Sequence, residues 1–329
     1  MARSEADARV LRAEIQRIAT EQFGPGASVA ELNRSRFPYI GSYDCYAVSA
    51  RTTEGEDFQV FLKDFGFSRQ SKDVPERRRE REMRVYRDLL AKADLGTARY
   101  YGSVWDPSQG RFWLLLELVE GTLIEEANDE TGPLAAAWLA RLHGTFQRER
   151  DALDACELLA HYDGDFFRAK ASGALADVGS VCEASGRQLE ALLEGFDPVA
   201  EAMAAPPLTL VHGGYIPWHI LLDAEREPVR VCAIDWELAG VGSIHYDLAF
   251  FVADAESGVR ERICEAYRRE AADRGVPVPD AETLRTVVDC FRLHRVLDWL
   301  SRSREKEFAR KKVARLVGEA ERLRRLIPS

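Results

Sequence analysis

No stretch of this 329-residue chain approaches the roughly 20 consecutive apolar residues that a membrane-spanning helix needs. A membrane protein is therefore not expected. The N-terminus, Met1 to Arg9, is polar and charged and leads into an amphipathic segment. An apolar signal core is missing there, so a soluble, cytoplasmic protein is expected. Cysteine is sparse and scattered: Cys45, Cys156, Cys182, Cys232, Cys264 and Cys290 form no C-x-x-C pair. That spacing argues against a zinc site or a disulfide framework, and several of the six lie in apolar runs as small hydrophobes. Internal repeats and low-complexity tracts are also missing, so a solenoid or a disordered chain is not expected.

Basic charge is scarce in the middle of the chain. Residues 121–300 carry 16 Lys and Arg against 32 Asp and Glu. Residues 1–120 balance at 19 of each, and residues 301–329 carry 10 basic against 4 acidic, for a total of -10. An acidic centre argues against nucleic acid as a partner, whose phosphates need cations. It suits a cationic small molecule, because a surface of one sign concentrates the opposite ion. Plain solubility explains the same acidity equally well.

What is present reads as an α+β protein. The hydrophobic fraction of 46% is ample for a core, and the length suits one large domain or two lobes. Helical spacing of Val10, Leu11, Ile15, Ile18 and Ala19 predicts a helix over about 8–23, stopped by Gly24-Pro25-Gly26. Strands at 43–51 and 58–63 flank the turn Thr52 to Glu56 and form a hairpin. A charged helix follows over about 76–93, then strands at 98–104 and 112–118. Residues 1–120 thus make a sheet-rich lobe. From 121 to 329 the pattern is mainly helical, with a helix at 133–146, short strands at 208–212 and 229–234, and a last apolar stripe of Val313, Leu316, Val317, Ala320, Leu323 and Ile327. The basic run Arg310-Lys311-Lys312 reads as the solvated face of that helix.

Several residues carry chemistry. Lys63 ends the strand Val60-Phe61-Leu62-Lys63, where an ammonium can pair nucleotide phosphates if a carboxylate holds it. Glu82 on the following helix is the candidate, with Glu80 as competitor. A strand lysine standing alone more simply caps a strand in water. Gly41-Ser42 offers backbone N–H groups for phosphate oxygens, or an ordinary turn; there is no G-x-G-x-x-G run. Glu117, Leu118 and Val119 leave an apolar strand and can present backbone to an adenine edge. Asp235 follows the apolar strand Val231-Cys232-Ala233-Ile234, and a carboxylate there is a hard oxygen ligand suited to Mg²⁺. His212 and Asp247 read as architecture, the first bonding backbone near the metal site and the second accepting N–H groups of the loop. His143 is expected to cap the C-terminus of its helix.

These elements, in this order, resemble the aminoglycoside phosphotransferase and choline kinase family. The resemblance rests on Phe61-Leu62-Lys63, Glu82 with Tyr86, Leu116 to Gly121, Leu139 to His143, the loop 212–222, and Ile234-Asp235-Trp236-Glu237 through Ala249, over about residues 36–250. It implies a two-lobed protein-kinase-like fold with ATP, or another nucleoside triphosphate, and Mg²⁺ between the lobes. It implies transfer of the γ-phosphate to a hydroxyl of a small molecule. It assigns phosphate contact to Lys63, positioning of that lysine to Glu82, hinge contacts to Glu117, Leu118 and Val119, and the metal to Asp235.

The chain departs from the family twice. The family's loop runs His-Gly-Asp, four residues, then Asn; here Gly214 stands at the general-base Asp and His219 at the Asn. A carboxylate such as Asp223 is a conceivable substitute base. Three readings follow: a phosphotransferase, an impaired pseudokinase that binds nucleotide or another ligand, and a site that handles its substrate without a nucleotide.

Overall fold

The computed structural model describes residues 2–38, 41–69 and 74–328. The chain divides into two compact units, Met1–Gly121 and Thr122–Ser329.

The first unit opens with α1 (Ala2–Phe23), longer at its N-terminus than periodicity predicts. Leu11, Ile15, Ile18 and Ala19 share one face and pack on Val29, Val48, Ala50, Phe58, Val60, Leu62, Trp113 and Leu115. Burying a side chain of Leu or Ile size contributes about 1.5–3 kcal/mol, so this stripe is enough to hold the helix on the sheet. The sheet contains β1 (Val29–Arg36), β2 (Asp44–Thr52), β3 (Asp57–Asp64), β4 (Tyr100–Asp106) and β5 (Arg111–Glu117) in the order β1-β2-β3-β5-β4. Every neighbouring pair is antiparallel. The expected hairpin is β2–β3.

β1 lies outside the sequence expectations. Its side chains are mostly exposed on both faces, which erases the alternation that marks a strand. It is an edge strand, and Glu31, Arg34 and Arg36 supply the charge that protects an open edge. The single helix expected over 76–93 is also corrected. It is α2 (Pro75–Arg84), then a π-helical turn at Val85–Leu89 and a 3₁₀ turn at Leu90–Lys92. No proline or glycine marks the change, and Val85, Tyr86, Leu89 and Leu90 stay buried through it.

The second unit contains β6 (Thr122–Leu123), α3 (Gly132–Arg148), α4 (Arg150–Asp154), β7 (Ala160–His161), α5 (Gly164–Val181), α6 (Glu183–Leu193), α7 (Asp197–Ala204) and β8 (Leu208–Val211). It continues with β9 (Ile220–Asp223), β10 (Arg230–Ala233), β11 (Gly240–Ser243), α8 (Tyr246–Phe251), α9 (Ser257–Asp273), α10 (Ala281–Leu300) and α11 (Arg310–Arg324). Two small sheets, β10-β9-β6 and β7-β11-β8, hold the segment that carries the candidate residues His212, Gly214, His219 and Asp235. Val313, Val317, Ala320 and Leu323 of α11 are buried as the stripe predicts. The basic run is only partly a solvated face, because Lys312 Nζ sits 3.4 Å over the Phe308 ring. No cysteine forms a disulfide, and no helix among the described residues is long and apolar enough to cross a membrane.

Candidate functional site

In the first unit, Lys63 sits on β3 between Cys45 of β2 and Leu114 of β5. Its Nζ donates to both carboxylate oxygens of Glu82 on α2, at 2.9 and 2.8 Å. Both side chains are buried. Glu80 instead faces Arg84 at 3.6 Å. The rings of Phe65 and Tyr43 lie 5.4 and 5.7 Å from Nζ. The ammonium is thus fixed, largely out of water, and held by a bidentate partner.

Gly41 and Ser42 precede β2 in an irregular segment. Arg69, which sequence reasoning did not single out, ties that segment down. Its backbone N–H donates to Ser42 O at 2.9 Å, and its guanidinium reaches Gly41 O at 3.4 Å and Asp44. Glu117 is the last residue of β5. Its carboxylate accepts the Arg99 N–H at 3.1 Å. Leu118 and Val119 follow, half-buried, outside the strand.

In the second unit, the loop after β8 is built around Asp247 of α8, which is fully buried. Its Oδ2 accepts the His212 N–H at 2.6 Å and its Oδ1 the Gly213 N–H at 3.0 Å. The His212 ring bridges the loop to the end of β10. Nε2 lies 2.9 Å from Ile234 O and Nδ1 lies 3.3 Å from the Gly214 N–H. A carbonyl only accepts and an N–H only donates, so those partners assign the hydrogen to Nε2. Burial pushes the His212 pKa down to about 4, and the ring is therefore neutral near pH 7. Trp138 and Tyr215, stacked 5.8 Å apart, pack behind the loop with Trp236.

Gly213 and Gly214 differ sharply. Gly213 has φ +79°, and a Cβ there would lie 2.1 Å from Leu238 O and 2.4 Å from Tyr162 Oη. Only glycine fits. At Gly214 a Cβ would meet Leu238 Cδ1 at 3.5 Å and His219 Nδ1 at 3.7 Å, ordinary contacts. Residue 214 therefore has room for a Cβ that the sequence does not supply.

Asp235 lies between β10 and a 3₁₀ turn at Trp236–Leu238, in the left-handed region at φ 67°, ψ 64°. Such a conformation in a non-glycine residue costs about 1–3 kcal/mol and persists where its surroundings demand it. A carboxylate oxygen of Glu237 lies within 4.8 Å of one of Asp235. His219 Nε2 is 3.6 Å from Asp235 Oδ2, while its Nδ1 is 2.8 Å from Gly214 O. Oxygen donors at Asp235 and Glu237 fit a divalent cation; the nitrogen of His219 does not suit Mg²⁺.

Two expectations fail here. His143 does not cap α3; it lies inside the helix, fully buried, with Nδ1 2.7 Å from Tyr267 Oη. Asp223 is not poised as a base; it pairs with Arg226 at 3.0 Å at the far end of β9. Tyr162, which closes over Gly213 and donates to Leu238 O at 2.5 Å, was missed. Its sequence surroundings carry no signal, because the contact joins residues 76 apart.

A cavity of about 550 Å³ opens beside the loop, lined by Glu125, Glu126, Trp218, Phe250, Asp254, Glu256 and Arg295 among others. Arg295 pairs with Asp254 at 2.6 Å. The wall is acidic, with an exposed indole at Trp218.

No curated protein matches the chain in sequence. Solved structures match it in fold. The macrolide 2′-phosphotransferase MphH from Brachybacterium faecium is 19% identical, with 92% of this chain and 97% of that chain covered, at TM-score 0.59. The GDP complex of wild-type aminoglycoside 2′-phosphotransferase-IIIa is 14% identical, covering 94% and 98%, at 0.60. A microcompartment-associated aminopropanol kinase is 18% identical, covering 96% and 95%, at 0.51. Likeness at this identity establishes the kinase-like phosphotransferase fold. A family model described as the phosphotransferase enzyme family matches residues 47–281, well over half of the sequence, and the chain belongs to that family.

Proposed function

We propose that this protein transfers the γ-phosphate of a nucleoside triphosphate, ATP or another, to a hydroxyl of a small cationic molecule with the help of a divalent ion. The observation that carries the reading is the buried Lys63–Glu82 pair. Desolvation makes a buried ion pair a weak source of stability. A cation so confined is better accounted for by a phosphate ligand than by folding. Lys63 then takes the nucleotide's phosphates, with Glu82 holding it, and Gly41 and Ser42 add backbone donors. Glu117, Leu118 and Val119 contact the base. Asp235 holds the divalent ion, which neutralises charge on the transferred phosphoryl group. His212 and Asp247 keep the loop in shape. The acidic cavity beside Trp218 suits an amine-bearing acceptor, as macrolides, aminoglycosides and aminopropanol named for the structural relatives all suggest.

The hydroxyl proton has no carboxylate at residue 214 to receive it. Phosphoryl transfer passes through a loose transition state, so positioning and electrostatics supply most of the acceleration. A general base contributes about 10²–10⁴-fold, and the expected enzyme is slow by that factor. A second reading, a nucleotide-binding pseudokinase, is favoured by Gly214 and His219 together. Incubation with ATP, Mg²⁺ or Mn²⁺ and a panel of amino alcohols, aminoglycosides and macrolides distinguishes them. A phosphorylated product seen by mass spectrometry and lost in Asp235→Ala supports the enzyme. Nucleotide binding with no product across the panel favours the pseudokinase.

A further inference from the structure

We propose that His219 Nε2 and the Asp235 carboxylate form a nitrogen–oxygen ligand pair that favours a divalent transition-metal ion, with manganese(II) as the probe, over magnesium. The inference deepens the phosphotransferase reading and rests on it only for the role of the ion. The argument begins with the ring's orientation. His219 Nδ1 lies 2.8 Å from Gly214 O, and a carbonyl oxygen only accepts, so the hydrogen is on Nδ1. In the neutral ring Nε2 then carries the lone pair. That atom is 3.6 Å from Asp235 Oδ2, too far for a good hydrogen bond. Two ligand atoms on one ion, at metal bonds of about 2.0–2.2 Å, lie roughly 3–3.6 Å apart. Metal-bound histidine also characteristically donates its other N–H to a carbonyl or carboxylate, which is the bond made to Gly214.

The placement is built into the backbone. The Ile234 N–H donates to His219 O at 2.9 Å, and Ile220 of β9 faces Ala233 of β10. His219 and Asp235 therefore stand at matching ends of one hairpin. Both side chains remain accessible, at 29% and 34% exposure. Glu237 adds a carboxylate within 4.8 Å of Asp235's. Mg²⁺ prefers oxygen ligands, whereas imidazole best suits the later first-row ions such as Fe²⁺ and Zn²⁺; Mn²⁺, a harder ion, gains less from it and serves as the probe. The carbonyl that orients His219 belongs to the backbone of residue 214 and does not depend on its side chain.

The test uses the full chain without nucleotide. Mn²⁺ binding is titrated by loss of the free-ion EPR signal, Mg²⁺ is added as competitor, and pulsed EPR looks for nitrogen coupling to the bound ion. The same measurements are made on His219→Asn, with circular dichroism confirming its fold. Because most ligand sets bind Mn²⁺ more tightly than Mg²⁺, the informative quantity is the change in the affinity ratio. We expect nitrogen coupling in the natural chain, its loss in His219→Asn, and a fall in the Mn²⁺/Mg²⁺ ratio of roughly 10–100-fold, the size of effect that altered ligand shells produce. An unchanged ratio, no nitrogen coupling, or no Mn²⁺ binding overturns the proposal. A parallel ADP titration keeps the readings separate: failure to bind ADP with either ion counts against the phosphotransferase reading and leaves the metal result standing.

Discussion

Gly213 and Gly214 are neighbours with opposite tolerances, and the contrast is testable. Gly213→Ala would force a Cβ into Leu238 O and Tyr162 Oη at positive φ. Left-handed strain alone costs about 1–2 kcal/mol, so chemical denaturation should show a loss above that. Gly214→Ala meets only ordinary contacts and should change stability by less than about 1 kcal/mol. Gly214→Asp places a carboxylate where the family resemblance expects the general base. If the scaffold is otherwise competent, turnover on any accepted substrate should rise by about 10²–10⁴-fold; no rise means that the missing base is not what limits the reaction. The sequence made these residues legible because a loop motif has fixed spacing. Their tolerances were not legible, since Tyr162 and Leu238 reach Gly213 from elsewhere in the chain. The role of His143 was misread for the same reason: its partner, Tyr267, is 124 residues away.

At the scale of elements, β3 and α2 are joined by one ion pair. Removing a single partner leaves the other charge buried, which costs about 3–5 kcal/mol. Lys63→Met and Glu82→Leu should each lower the unfolding free energy by that order. The double variant should regain much of it while binding no nucleotide, a pattern a thermodynamic cycle with ADP titration reveals. A double variant that still binds ADP as tightly as the natural chain would remove Lys63 from phosphate recognition. Most elements of the fold were readable from period and punctuation, among them α1, the β2–β3 hairpin and the stripe of α11. The edge strand β1 was not, because it buries almost nothing on either face. The π turn after α2 was not, because its residues keep an ordinary apolar pattern.

At the scale of the whole molecule, three buried histidines set an acid limit. Burial pushes His212, His245 and His294 each down to about 4. Their unfolded value is about 6.5, so between about pH 6.5 and 4 the unfolded chain binds more protons than the folded one. Stability therefore falls as pH drops through that window and is insensitive to these groups above it. Each shift corresponds to a loss on the order of 3 kcal/mol when complete. Tm should decline steeply from pH 6.5 to 4. His294→Phe, set among the rings of Phe166, Phe167 and Tyr246, should make the decline shallower; an unchanged slope would mean that His294 does not contribute.

The seat of Tyr162 over Gly213 has one more effect. Tyr162 follows β7, and its N–H is bonded to Val241 of β11, so the tip of the loop is clamped to a strand ladder. Such a tip cannot fray by itself. Amide hydrogens of Gly213 and its neighbours should exchange with solvent only when the surrounding sheet opens, and a ligand arriving at the loop would meet a segment already held by these bonds, with less entropy to lose there.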